Sequence, residues 1–485
     1  MRRCPRPLAP RDDLPGASRA LQLAPAKSAC DGYLSINKKT AEPQRNRVSR
    51  LRLGSKPIWM ETFSETINMR LKHVLALLGA AAISVALAGP AAAQDKTVKI
   101  GAVFPLSGGA ASAGVHAKFA IETAMDIINN AHPELGNFPL AKNAGLAGLG
   151  GAKVEVVFAD NQGSPATGQN QALRLITEDK VVALTGSYQS GITLTASAIA
   201  EKYGIPFVNG ESVAANLTER GFKWFFRVTP VAADFAKIYS DFLKDMKATG
   251  AKTDNVALVH DNTEYGTSVA SVITSVFKDN GASVSQDIAY AVNATDVQSQ
   301  VLQLKEKKPD VVIMIAYASD AILYQKTMQA LDYKPPMMIA DDSGYSDPSF
   351  IKAVGKISQG VFNRSSWSVG PAGSPSAIIA EMYKKRSGDE MDDTAARQMQ
   401  GFFVLCDAID RAGSTDPAKI QAALKATDLK PDQLIMGYKG VKFDDKGQNI
   451  LASGLMIQLQ DGENYVAVWP KANAEKAPEM PYKGW

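Results

Sequence analysis

Ser190, Gly191 and Thr193 stand in GSYQSGITLTASAIA (186–200), where a β-branched run gives way to helical spacing. Hydroxyls and backbone N–H groups converge there at the positive end of a helix dipole, an arrangement suited to a carboxylate. Ser190 and Thr193 acting only as helix caps is the competing reading. Aromatic and acidic residues recur at other strand ends: Tyr265 after NVALVHDNTE, Tyr317 and Asp320 after DVVIMIA, and Asp341, Asp342 and Tyr345 after PMMIA. A carboxylate among them could hold an ammonium group while tyrosines wall an apolar side chain. Taken singly, each acid is equally readable as a solvated loop residue.

Other chemistries fit poorly. GLAGLGG (145–151) precedes a strand rather than following one, so it cannot present amides to a pyrophosphate, and no GK[ST] occurs. Tyr188 stands where the first glycine of G-x-S-x-G would be around Ser190, which removes the hydrolase elbow. Ser275 to Lys278 matches S-x-x-K but lies within a helical pattern. His73, His116, His132 and His260 form no pair at metal-ligand spacing, and three cysteines are too few for a cysteine-rich zinc site or a disulfide scaffold. Cys406, in GFFVLCDAI, reads as a packed free thiol. No catalytic residue, metal or cofactor is expected.

The elements that must position these residues alternate regularly. From Val98 onward, short β-branched runs such as VKIGAVF, KVEVVFAD, VVALTG, NVALVHD and DVVIMIAY alternate with amphipathic segments such as AKFAIETAMDIINN, whose Ala117, Ile121, Ala124 and Ile128 share one helical face. The pattern predicts βαβ units and parallel sheets, with ligands expected at the carboxyl ends of the strands. So many units exceed one sheet, and two α/β domains are expected. LMIQLQDGENYVAVW (455–469) predicts a closing antiparallel hairpin around Asp461 and Gly462.

Charge and targeting bound the partners. The 485 residues carry a net charge of +4, but residues 94–485 hold 38 Lys/Arg against 43 Asp/Glu, which leaves no basic body for nucleic acid. MRLKHVLALLGAAAISVALAGPAAAQ (69–94) has the cations, apolar run and A-x-A site of a secretory signal peptide spanning 69–93. Its Gly-Pro break and terminal alanines argue against a transmembrane anchor. The Arg- and Pro-rich residues 1–68 are expected to be a non-native or disordered extension upstream of the true start at Met69. A periplasmic location follows.

Taken together, VKIGAVFPLSG, KVEVVFADNQGSP, the GSYQSGITLTA loop, LTERGFKWFFRVTP (217–230) and NVALVHDNTEYG resemble the periplasmic substrate-binding proteins of ABC transporters for branched-chain amino acids, over about residues 97–470. The resemblance implies a type I periplasmic binding protein, with two Rossmann-like α/β lobes joined by three hinge crossings near Arg227–Pro230, Asn363–Trp367 and Lys439–Asp444. Lobe one would comprise 94–228 with 366–439, and lobe two 229–365 with 440–485. It also implies that Ser190 and Thr193 bind an α-carboxylate, that Glu211, Ser212 and Val213 add contacts, and that Tyr265 and Tyr317 close from the second lobe. Asp341 or Asp342 would hold the α-ammonium, although an ungapped match places Ser343 there.

Three departures bear on the ligand. Glu211 stands where the leucine-binding members have a small residue; beside a carboxylate it would repel unless it meets a ligand cation or turns to solvent. Val213 replaces a threonine. The family's first-lobe disulfide is missing, with Gly163 and Gln189 near the expected sites. The expected function is non-catalytic capture of a small ligand, foremost an amino acid, by a monomer that serves a membrane ABC permease. Capture of an amide, urea or aromatic carboxylate is the alternative within the class. An exported hydrolase or a sensory ectodomain is the alternative outside it.

Overall fold

The computed structural model describes residues 97–136, 138–341 and 344–485. The expected extension, the signal peptide and Asp342 therefore lie outside the described residues. The chain opens with β1 (Thr97–Phe104), α1 (Ala111–Asn129), β2 (Lys153–Asp160), α2 (Pro165–Thr177), β3 (Ala183–Gly186), α3 (Ser190–Tyr203), β4 (Phe207–Asn209) and β5 (Phe225–Arg227). These five strands form one sheet in the order β2-β1-β3-β4-β5, with every pairing parallel. GLAGLGG lies in the loop before β2, around a short 3₁₀ turn.

After a first crossing come α4 (Ala232–Ala248), β6 (Val256–Asp261), α5 (Glu264–Asp279), β7 (Val284–Tyr290), α6 (Gln298–Lys307), β8 (Val311–Ile315), α7 (Ala318–Ala330), β9 (Met337–Ala340), α8 (Pro348–Val354) and β10 (Phe362–Ser365). The chain then returns through α9 (Pro375–Ser387), α10 (Asp393–Ala412), α11 (Pro417–Lys425), β11 (Asp428–Leu429) and β12 (Val441–Lys442), and ends with β13 (Leu455–Leu459) and β14 (Tyr465–Trp469). The second sheet has the order β14-β13-β10-β9-β8-β6-β7. Its last two strands are the antiparallel hairpin expected from the sequence.

The central strands of both sheets are buried on two faces, which is why they read as nearly continuous apolar runs. In β8, Val311, Ile313 and Ile315 enter one core while Val312 and Met314 enter the opposite one. Helix starts are encoded locally: Ser164, Asp347, Ser374 and Asp416 each accept a first-turn N–H just before a proline.

The third crossing differs from its expected place. Val441 and Phe443 pack in the first sheet's core, and the Phe443 ring lies 5.2 Å from Phe226. Lys439 N–H donates to Leu451 O, and the second sheet resumes at Leu455, so the chain crosses at 452–454 rather than at Lys439–Asp444. Residues 440–451 accordingly pack with the first sheet. The two-residue strands β11 and β12 are too short to show a period in the sequence, which hid this boundary. Wholly buried Arg227, at the end of β5, ties residues 440–451 to the loop after β4, donating to Gln448 Oε1 at 2.6 Å and Ala214 O at 2.6 Å.

One close approach positions the site. A Cβ on Gly210 would stand 2.4 Å from Arg397 O, and one on Gly401 would stand 3.0 Å from Gly210 Cα. The backbone after β4 thus lies directly on α10, and Arg397 is brought beside Glu211.

Candidate functional site

The loops leaving β3, β4, β6 and β8 meet between the two sheets around a space of ≈190 Å³ that includes open solvent. Tyr188, Ser190, Glu211, Ser212 and Val213 line it from one side, and Tyr265, Tyr317 and Arg364 from the other. Ser190 opens α3, Tyr265 lies in the first turn of α5 and Tyr317 precedes α7, so three helix N-termini face this space. The walls touch: Tyr188 and Tyr317 have ring centroids 5.5 Å apart, Ser112 Oγ donates to Asp347 Oδ1 at 2.7 Å, and Asn216 Nδ2 donates to Glu264 Oε1 at 2.9 Å. The lobes are closed on one another.

Of the sequence-predicted residues, Ser190, Glu211, Ser212, Val213, Tyr265 and Tyr317 are brought together at the cavity. Gly191 is not in its wall; its Cβ position stands 3.6 Å from Glu264 Cβ, across the cleft. Thr193 lies behind the wall, fully buried, with Oγ1 2.7 Å from Ser212 Oγ and in contact with Ser187. Its hydroxyl is spent on holding the two loops together, so direct carboxylate binding by Thr193 gives way to positioning of Ser212. Burial pushes the Tyr317 phenol well above its ordinary range, keeping it neutral.

Asp341 also departs from expectation. It accepts from Tyr265 at 2.7 Å, from Arg364 Nε at 3.1 Å and from Tyr239, and it does not line the cavity. Burial would raise its pKa, but Arg364 and the two tyrosine hydroxyls outweigh burial and hold the carboxyl below its usual range. As a bare ammonium anchor it is already occupied.

Asp341 is one end of a buried ladder of charges. Arg364 Nη1 lies 3.9 Å from Asp393 Oδ2, Asp393 Oδ2 lies 2.6 Å from Arg397 Nε, and Arg397 Nη2 donates to Glu211 Oε1 at 2.8 Å. None of the five side chains is more than 3% exposed. The expected choice for Glu211, between a ligand cation and solvent, is thus corrected: a guanidinium 186 positions away already pairs with it. Among the described residues the ladder counts three carboxylates against two guanidiniums, and both Glu211 and Arg364 reach the cavity wall. Arg364 also stacks 3.8 Å over the Phe235 ring.

Tyr188, Arg364 and Arg397 were missed in the sequence. The signal for Arg364 was a cation in VFNRSSW, at an expected hinge crossing. Cys406 is buried and free, as expected.

A sequence profile described as periplasmic binding protein matches residues 97–463. The chain belongs to the periplasmic binding protein family. A Leu/Ile/Val-binding protein homolog 7 of Brucella abortus is 31% identical over 423 residues, covering 84% of this chain and 99% of the relative. Two solved structures share the fold. One is a branched-chain amino acid transporter substrate-binding protein of Streptococcus pneumoniae in complex with isoleucine (TM-score 0.64, 22% identity, covering 77% of this chain and 100% of that one). The other is an ABC-transporter solute-binding protein of Rhodopseudomonas palustris in complex with 3,4-dihydroxybenzoic acid (TM-score 0.64, 20% identity, covering 80% and 98%). This periplasmic binding protein has the two-sheet fold expected from its sequence.

Two predictions follow from the buried charges. Arg397→Met leaves the buried Glu211 and Asp393 carboxylates without their shared guanidinium, and urea unfolding of the ligand-free protein should show a loss of about 3–5 kcal/mol. Asp320, whose Oδ1 is buried without a partner among the described residues, has its pKa raised to about 6, chiefly by burial and further by Asp261, against the Asn293 N–H bond. A raised carboxyl pKa costs nothing below pH about 4, where both states are protonated, and costs fully above pH about 6. Asp320→Asn should therefore raise the unfolding temperature at pH 7.5, by an amount corresponding to roughly 1–3 kcal/mol, and the gain should vanish at pH 4.

Proposed function

We propose that this chain is an exported, extracytoplasmic solute-binding protein that captures an amino acid between its lobes and presents it to a membrane ABC permease, without turnover. The observation that carries this reading is the cavity at the carboxyl ends of the strands, whose walls belong to a buried ladder with one carboxylate in excess. An ammonium group balances that charge in a site where an unbalanced one is costly. Ser190 Oγ, at the N-terminus of α3, supplies a hydroxyl for a carboxylate. Tyr188, Tyr265 and Tyr317 supply apolar walls. A zwitterion satisfies both ends, whereas an aromatic acid brings an anion and no cation.

A ligand that touches both lobes stabilises the closed arrangement by contacts it makes only there, a population shift. The Leu/Ile/Val-binding name of the Brucella relative and the isoleucine in the Streptococcus structure agree with this ligand class. The dihydroxybenzoate in the Rhodopseudomonas structure marks the competing class on the same fold.

Calorimetric titration should show binding of aliphatic amino acids and none of 3,4-dihydroxybenzoate; the reverse order would sink the amino-acid reading. Ser190→Ala should weaken amino-acid binding by about 1.5–3 kcal/mol through loss of a hydrogen bond to a charged group. Small-angle scattering should show a smaller radius of gyration at saturating amino acid, and an unchanged curve would contradict lobe closure.

A further inference from the structure

A second chamber adjoins the cavity, with ≈310 Å³ of empty space that includes the solvent at its mouth. Gly109, Gln162, Gly163 and Gln189 line it from the first lobe, Asn293 and Tyr317 from the second. Tyr317 is a wall common to both spaces, and Gln189 is the immediate neighbour of Ser190. The lobes meet at its rim, where a Cβ on Gly109 would stand 2.3 Å from Asn293 Oδ1.

The chamber occupies the place where the family's first-lobe disulfide is missing from this chain. This chain has a glycine and an amide there, with the Gly163 Cβ position 3.5 Å from Gln189 Nε2. Gln189 precedes α3, yet its side chain makes no capping bond. Its Oε1 is buried and has no hydrogen-bond partner among the described residues. Ser319 Oγ, likewise buried and without a partner there, lies 3.5 Å from the Gly109 Cβ position. A buried acceptor without a donor is unfavourable. The site is completed by something that donates.

We propose that the distal end of the ligand occupies this chamber and donates a hydrogen bond to Gln189 Oε1, so that the protein prefers amino acids longer than leucine whose side chains end in a neutral amide or urea. The end group is neutral because the polar side chains around it are amides and a phenol, which offer no counter-charge to a desolvated ion. This rests on the amino-acid reading above.

Calorimetric titration of the full chain and of Gln189→Leu with L-leucine, L-glutamine and L-citrulline tests it. The variant removes the acceptor and keeps the backbone carbonyl that accepts from Ile192 and Thr193. The wild type should bind L-citrulline or L-glutamine at least tenfold more tightly than L-leucine, and Gln189→Leu should abolish that preference while leaving L-leucine affinity within about threefold. A wild-type preference below tenfold, or one that survives in the variant, would overturn the chamber's role and leave amino-acid capture standing. Binding of none of the three would overturn the amino-acid reading and this inference with it.

Discussion

The buried alternation Asp341, Arg364, Asp393, Arg397, Glu211 is the constraint on which the site depends. Ion pairs taken out of water gain little over apolar packing, but removing one member strands its partner at a cost of several kcal/mol. The ladder is therefore a specifying device more than a stabilising one. It runs from the end of β9, through the crossing strand β10, to α10 and the loop after β4, so each segment's position is tied to the next. Asp393 extends the tie by accepting from Ser366 N–H at 2.6 Å and Ser365 Oγ at 3.0 Å, at the second crossing itself.

From that frame the cavity chemistry follows. Glu211 and Arg364 reach the wall as members of the ladder, so the charge a ligand meets is the excess of the whole chain rather than of one residue. Tyr265 does double work: its hydroxyl is bound to Asp341 while its ring stacks 5.3 Å from Tyr317. Thr193, Ser212 and Asn209 interlock the two first-lobe loops, with Asn209 Nδ2 donating to Gly186 O at 2.8 Å. A site held by such fixed partners loses little on binding, because few side chains remain to be ordered.

What the sequence revealed was what local periodicity carries. The β-branched runs and amphipathic faces marked β1, β2, β3, β6, β8 and β9 but not β5, β7 or β10, and the strand-end loops named Ser190, Tyr265 and Tyr317 at the cavity, while Glu211, Ser212 and Val213 came from the family resemblance. What it concealed was pairing at long range. Nothing near Glu211 announces Arg397, and nothing near Asp341 announces Tyr239, Tyr265 and Arg364, so one acid was assigned a ligand cation and the other an ammonium. The third crossing was misplaced for a different reason: its place was carried over from the family resemblance, and residues 440–451 form bridges and turns too short for either period to correct it.

The central claim is that the excess carboxylate selects a ligand bearing both an ammonium and a carboxylate. Mass spectrometry of small molecules released by denaturing protein purified from its native host tests this most directly. The account predicts a zwitterionic amino acid in near-stoichiometric amount. An aromatic acid, or any ligand without a cationic group, released in that amount would contradict it.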